Sequence, residues 1–333
     1  MQMSYSREQQ AAIEAVSRAA NLCKQVRVDM IGAEALEKDD RSPVTIADFG
    51  AQALVCQLLT EAFPLDTIVA EEDSADLRQP NAKHAAKLKQ VTRYVQRFQP
   101  HADAQTVCDW IDAGNGQVAD RFWTLDPIDG TKGFLRSDQY AIALALIEAG
   151  EVKVAALACP ALLFKPDEPD SEIGVIFSAV RGVGAAMAVL GSDDFEPIHV
   201  TQPTDQARLR FVESVEAAHG DQSLQQAIAQ AAGINQPSLR MDSQAKYGAV
   251  ARGEAALYLR LPSPKSPDYR EKIWDHAAGS LVVEEAGGRV TDMHGRRLDF
   301  AADYKMNNNR GVIVSNGAMH QAVIEALAAG AST

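Results

Sequence analysis

Positive charge is scarce in this chain. Its 333 residues include 32 lysines and arginines against 45 aspartates and glutamates, a formal net charge of −13. That balance argues against proteins that hold nucleic acid by replacing its counterions. A small anionic substrate is still allowed, provided metal ions or a local basic cluster reverse the sign inside one pocket. Cysteine is also sparse. Cys23, Cys56, Cys108 and Cys159 are scattered and none forms a CxxC pair. A zinc site or redox pair is therefore not expected, and four isolated thiols suit a reducing compartment. Long apolar runs are missing, with no stretch near the roughly 18 residues a membrane span needs. The opening MQMSYSREQQAAIEAV lacks the basic and apolar regions of a signal peptide and is not Arg-rich like a transit peptide. These absences together imply a cytoplasmic location, no membrane and no nucleic-acid partner.

What is present is an ordinary globular balance, 46% hydrophobic and 23% charged. The length suits one large domain or two moderate ones with a core that needs no disulfides. Ile13, Val16, Ala20 and Val26 recur at helical spacing, predicting an amphipathic helix over 6–31. Residues 37–45 (EKDDRSPVT) read as an exposed loop, followed by a helix in IADFGAQALVCQLLTEAF and a short strand in DTIVAEEDS. Residues 75–108 are polar and partly helical and read as a surface insertion. From Arg121 the period shifts to a series of strands, and GSDDFEPIHVTQP reads as a linker. Beyond it strands and helices alternate, including a helix near 243–252, as in an α/β layer. An N-terminal α+β part over 1–196 and a C-terminal α/β part over 197–333 follow.

Four acidic groups fall where predicted strands or loops meet turns or helix starts: Asp48, Glu71, the pair Asp126 and Asp129, and Asp275. Converging carboxylates repel, so some must take up protons or share a cation. Mg²⁺ is the common remedy, since it prefers hard oxygen ligands. In DPIDGTKGF (126–134) two carboxylates three apart in a tight turn can face one side. The Ile128 carbonyl adds an oxygen, Gly130 lets the backbone approach an anion, and Thr131 offers a hydroxyl. Taken singly, each motif has a plainer reading. D-x-x-D is a common turn, EED a solvated face, and the Asp of WDHAAG a helix cap. It is their joint occurrence that points to chemistry.

SPVTIAD, VAEED, WTLDPIDGTKGF and IWDHAAGSLVVEEAGG resemble, in order, the signature segments of the Mg²⁺-dependent, lithium-sensitive phosphatases. That superfamily includes inositol monophosphatase and fructose-1,6-bisphosphatase. DPIDGTKGFLRSDQYAIALALIE and YLRLPSPKSPDYREKIWDHAAG are similar to its 3′(2′),5′-bisphosphate nucleotidase branch, apart from Ser137 where glycine is usual. The resemblance implies a layered αβαβα sandwich and hydrolysis of the 3′-phosphate of adenosine 3′,5′-bisphosphate, with the sulfated nucleotide as a further substrate. It implies one Mg²⁺ on Glu71, Asp126 and the Ile128 carbonyl, a second on Asp126, Asp129 and Asp275, and a third near Asp48 and Glu71. Li⁺ is the expected inhibitor. Thr131, hydrogen-bonded to Asp48, would orient the attacking water, with the loop 38–45 closing over the site. Gly130, Thr131, His219, Ser243, Lys246, Arg260 and Asp275 are the implied substrate contacts, Lys246 and Arg260 holding the uncleaved phosphate. Ser243 and Lys246, at i and i+3 of a predicted helix, would share a face. His276 reads as structural, Trp123 and Trp274 as wall or core, and a monomer is favoured. Two alternatives stand beside this reading: an inositol (poly)phosphate phosphatase with the same metal site, and a non-catalytic nucleotide- or metal-sensing protein.

Overall fold

A computed structural model describes residues 5–31, 42–215, 222–263, 266 and 268–330. His219 and the 38–41 part of the expected closing loop lie outside the described residues.

The chain begins with two long helices, α1 (Ser6–Ile31) and α2 (Ser42–Ala62), followed by strand β1 (Thr67–Ala70). The helix α2 thus starts inside the segment read as a loop. Its Pro43 falls in the first turn, where a missing N–H costs no hydrogen bond. Two further helices follow, α3 (Ala82–Val95) and α4 (Ala104–Asp112). They are not a detached insertion. Val91, Val95, Val107, Cys108 and Ile111 are buried in the same core as α2, and the pair forms the crossover that parallel pairing of β1 requires.

The first sheet continues with β2 (Arg121–Asp129), the short helix α5 (Thr131–Leu135), β3 (Ala141–Glu148), β4 (Glu151–Leu163), β5 (Ile173–Val180), β6 (Gly184–Val189) and β7 (Glu196–Pro197). Its strand order follows the chain, with β1 and β2 parallel and the rest an antiparallel meander. The segment read as a linker contributes β7, so a division at 196/197 cuts a strand. Ala149 and Gly150 join β3 to β4 with φ of 52° and 74°, the two-residue turn whose twist matches a hairpin.

The second sheet, ordered β11-β12-β10-β8-β9, is built from β8 (Phe211–Glu213), β9 (Leu239–Arg240), β10 (Leu257–Arg260), β11 (Arg289–Thr291) and β12 (Val312–Ser315). Its helices are α6 (Gln222–Ala231), α7 (Ala245–Ala251), α8 (Ala277–Glu285) and α9 (His320–Gly330).

Stacking explains the sequence pattern. α1 and α2 cover one face of the first sheet, while α7 and α8 lie between the two sheets, and α6 and α9 close the far side. The result is five layers, αβαβα. Strand β4 is packed by α1 on one side and α8 on the other, so VAALAC is apolar without alternation. The middle layer shares one core with both sheets, which ties the two halves of the chain together.

The five-residue helix α5 is too short to hold itself. Phe134 anchors it, fully buried and edge-on to Tyr140 with ring centroids 5.0 Å apart. Arg27 of α1 lies over the Tyr140 ring at 5.3 Å. Gly133 abuts the Gln139 carbonyl so closely that a Cβ would stand 2.0 Å from its oxygen. Ser137 follows at φ 62°, the backbone conformation glycine adopts most readily. Gly133→Ala should destabilise the protein by about 3 kcal/mol through backbone overlap, read as a lower unfolding midpoint in calorimetry. A midpoint equal to wild type would show that α5 has slack there.

Candidate active site

The acids converge from four separate elements. Asp48 projects from α2 and Glu71 follows the end of β1. Asp126 and Asp129 lie within β2, not in a tight turn. Their register explains how they cooperate. Asp126 pairs with Ala143 and Asp129 with Ala141, three steps on β2 against two on β3. In a regular strand residues i and i+3 face opposite sides. The extra residue of this bulge turns Asp129 to the side of Asp126. Pro127, which has no N–H for the ladder, sits in that bulge. Asp275 comes from the other sheet's territory, just before α8, with Oδ2 accepting from the Lys272 N–H at 3.1 Å.

The acids are near enough to raise one another's pKa, although among the described residues the three acid or imidazole groups whose ligand atoms all lie within 4.8 Å of one another are Glu271, Asp275 and His276. Burial pushes the Asp126 carboxyl far up, reinforced by Glu71, Asp129, Asp275 and Asp48. Asp48 is raised by burial and then by Glu72 and Glu71. Glu71 is exposed as a residue. Even so, crowding around its carboxyl, ahead of the charges of Glu72, Asp275 and Asp129, pushes it up to about 8. Asp275 rises to about 6, chiefly by burial. Asp129 is raised by burial, while Lys246 and a 2.5 Å hydrogen bond from the Gln244 N–H to Oδ2 pull the other way. Asp48 and Asp126 are 6% and 2% exposed, and each has an Oδ1 with no hydrogen-bond partner among the described residues. Buried carboxylate oxygens are rarely left so. A set of hard oxygen donors with orphaned atoms fits a divalent cation such as Mg²⁺.

Beside the acids lies a cavity of about 180 Å³, its wall including Asp129, Gly130, Thr131, Ser243, Lys246, Arg260 and Asp275. Asp48, Glu71 and Asp126 are not part of that lining. Gly130 turns the chain from β2 into α5 at φ 88°, and a Cβ there would come within 2.9 Å of the Ser243 Cβ. Thr131 is exposed at the start of α5 while Asp48 is buried in α2, and the hydrogen bond expected between them is not formed. Ser243 is not helical either. It occupies a turn at φ 65°, and α7 starts at Ala245, so it reaches the cavity from the turn and shares no helix face with Lys246.

The two basic residues already have protein partners. Lys246 is 4% exposed, its Nζ donating to the Met241 carbonyl at 3.4 Å and lying 5.1 Å from the Tyr258 ring centre. Burial brings it down to about 8 although Asp129 supports its charge. Arg260 Nε donates to Glu271 Oε1 at 3.2 Å. Burial alone would raise Glu271, but the 3.4 Å contact with His276 and the Arg260 charge outweigh it and take it to about 2. His276 Nδ1 meets the Tyr247 hydroxyl at 2.6 Å, a structural bond. Sequence reasoning missed Glu271, Tyr247, Tyr258 and Gln244. Glu271 and Gln244 each sit within four residues of a residue that was singled out, and that proximity was the only signal. A second cavity of about 300 Å³ shares Arg260 and Glu271 and adds Tyr269, Arg270 and Arg310. Trp274 stacks on Tyr304 at 5.7 Å, and Trp123 is buried.

The inositol monophosphatase family model matches residues 4–331. A 3′(2′),5′-bisphosphate nucleotidase of Schizosaccharomyces pombe is 45% identical over 342 residues, covering 98% of this chain and 96% of that protein. One of Emericella nidulans is 42% identical, covering 98% of each. Among solved structures, an inositol monophosphatase from Zymomonas mobilis superposes with a TM-score of 0.64 at 18% identity, covering 98% of this chain and 100% of the other. CysQ from Bacteroides thetaiotaomicron, a bacterial member of the family, gives 0.60 at 20%, covering 94% and 98%. The layered fold is thus that of the family. Among the described residues no helix is long and apolar enough to cross a membrane.

The raised carboxyls predict a pH signature. In cation-free protein, folded Asp275 and Glu71 hold protons at pH values where ordinary unfolded carboxylates have lost them. That stabilising contribution is complete at low pH and is lost as pH rises through about 6 and then about 8. The melting temperature in chelator should therefore fall between roughly pH 5 and pH 9, and Mg²⁺ should flatten the curve. Scanning calorimetry with and without Mg²⁺ tests this, and a chelated profile that rises with pH would contradict it.

Proposed function

This chain belongs to the inositol monophosphatase family, and from that premise we propose that it is a phosphatase removing the 3′-phosphate of adenosine 3′,5′-bisphosphate to give AMP. The sulfated nucleotide is proposed as a further substrate. The observation that carries the reading is one cavity lined by Asp129 and Asp275 together with Lys246 and Arg260. Near full-length similarity to bisphosphate nucleotidases supports the nucleotide over an inositol phosphate. A non-catalytic sensor would have no chemical need for the complete acid set.

Family members are generally Mg²⁺-dependent and inhibited by Li⁺. Glu71, Asp126 and the Ile128 carbonyl would hold one ion, and Asp126, Asp129 and Asp275 a second, with a third near Asp48 and Glu71. When bound, such ions neutralise phosphate charge and lower the pKa of the attacking water. The chain's own residues do the rest. Thr131, on the cavity wall, would orient the water, and Asp48, which it does not bond in this structure, is the proposed acceptor of the proton. The backbone N–H groups of Gly130 and Thr131 would donate to the phosphate. Lys246 and Arg260 hold the phosphate that is not cleaved, Arg260 kept in line by Glu271. Ser243 and His219 are the remaining proposed nucleotide contacts, and the second cavity gives room for the nucleoside.

Phosphate release from adenosine 3′,5′-bisphosphate, its sulfated form, inositol 1,4-bisphosphate, inositol 1-phosphate and fructose 1,6-bisphosphate tests the assignment. The nucleotides should turn over fastest, only with Mg²⁺, and Li⁺ should inhibit. Faster release from inositol bisphosphate would refute the substrate assignment. Two substitutions separate the roles. Asp129→Asn should abolish turnover by orders of magnitude while the fold stays intact by circular dichroism. Lys246→Met should raise KM with a smaller change in kcat. Wild-type KM should climb as pH rises through about 8, where Lys246 loses its proton, and the variant's KM should not follow.

A further inference from the structure

Two glutamines outside the acid set hold the segments that carry the acids. Gln52 is 0% exposed and lies on α2 one turn after Asp48. Its Oε1 accepts from the Glu72 N–H at 3.0 Å, and its Nε2 donates to the Glu72 carbonyl and, at 2.9 Å, to the Ile111 carbonyl. Both backbone groups of Glu72, the neighbour of Glu71, are thereby pinned to the helix that presents Asp48. Every hydrogen-bonding group of the Gln52 amide is used.

Gln244, 2% exposed, does the same across the two sheets. Its backbone N–H donates to Asp129 Oδ2 at 2.5 Å. Its Nε2 donates to the Trp274 carbonyl at 2.9 Å, adjacent to Asp275, and its Oε1 accepts from the Gly279 N–H at 3.1 Å in the first turn of α8. The turn that carries it is itself locked. Ser243 holds a positive φ, and the Asp242 carboxylate pairs with Arg136 beyond α5. One residue therefore registers Asp129 of the first sheet against Asp275 of the middle layer.

An amide suits this position because it supplies a donor and an acceptor with no charge. A glutamate would add to the repulsion among the acids, and a lysine would compete with a cation. We propose that Gln52 and Gln244 are positioning residues that set the spacing of the acidic segments and thereby the cation affinity of the site. This rests on the reading of the cluster as a divalent-cation site.

The test is Mg²⁺ binding to the full-length protein without substrate, by titration calorimetry and by the Mg²⁺-induced rise in melting temperature. Gln52→Met and Gln244→Met should each weaken Mg²⁺ binding by about 10- to 100-fold, the range for residues that orient metal ligands. At saturating Mg²⁺ the turnover of Gln52→Met should recover most of the wild-type rate with KM for the nucleotide unchanged, and Gln244→Met, at a residue that borders the cavity, should regain turnover as Mg²⁺ is raised. Asn316→Leu is the stability control. This buried amide bonds the Thr201 carbonyl at 3.1 Å and the Met319 N–H at 3.3 Å and is not part of the cavity wall. It should lower the melting temperature and leave Mg²⁺ affinity as in wild type. If a methionine variant does not fold, the asparagine variant at the same position keeps the amide one methylene short and should still show a severalfold loss. Variants that melt early yet bind Mg²⁺ like wild type would overturn the proposal. A wild-type protein that binds no Mg²⁺ would instead overturn the cation reading beneath it.

Discussion

Mutual repulsion among buried carboxylates is the constraint on which this structure turns. Left in water, Asp48, Glu71, Asp126, Asp129 and Asp275 would avoid one another. Burial makes matters worse by raising the cost of each charge. The fold nevertheless gathers them and leaves oxygens on Asp48 and Asp126 without partners. Such an arrangement persists only if the backbone beneath it is held from other directions, and here it is. Two buried amides bonded through both oxygen and nitrogen, a β-bulge and a packed middle layer supply that support.

The five-layer architecture shows why the site lies where it does. The first sheet carries Asp126 and Asp129, while α8, which begins after Asp275, is squeezed between both sheets. The acids therefore meet only because the middle layer is common property. That layer brings Lys246 to the cavity from α7, and the second sheet brings Arg260 from the end of β10. Each is balanced before any ligand arrives, Lys246 against Asp129 and Arg260 against Glu271. Both cations are thus oriented by protein groups.

Much of this was legible from residue order. The helix over 6–31 was visible in its apolar spacing, and the strands from Arg121 in their β-branched and alanine-rich runs. The acidic motifs stood out because they recur at element ends. The boundaries were harder. Ser42 to Thr45 looked like a loop because charges and a proline precede and interrupt it, yet proline is tolerated in a first helical turn. The polar run 75–108 looked detached because its apolar residues are few. Those few are the ones buried against α2. Ser243 looked helical by continuity with Lys246, but it lies in a turn at positive φ, packed against Gly130. Gln52 carried a faint signal, a polar residue four positions after Asp48 in an otherwise apolar helix. Gln244 carried only its place beside Ser243.

By itself the sequence determined which chemistry is on offer: hard oxygen donors beside a glycine turn, in a chain of net charge −13. Identities and local spacing decide that, since they set charge, donor type and backbone freedom. Only the tertiary structure decided that acids from α2, β1, β2 and the approach to α8 share one site, that a bulge turns Asp129 toward Asp126, and that Arg260 is pre-paired. Those facts depend on contacts between residues far apart in the chain. Side chains meet across layers according to register and packing, and no periodicity along one segment records where another segment will lie.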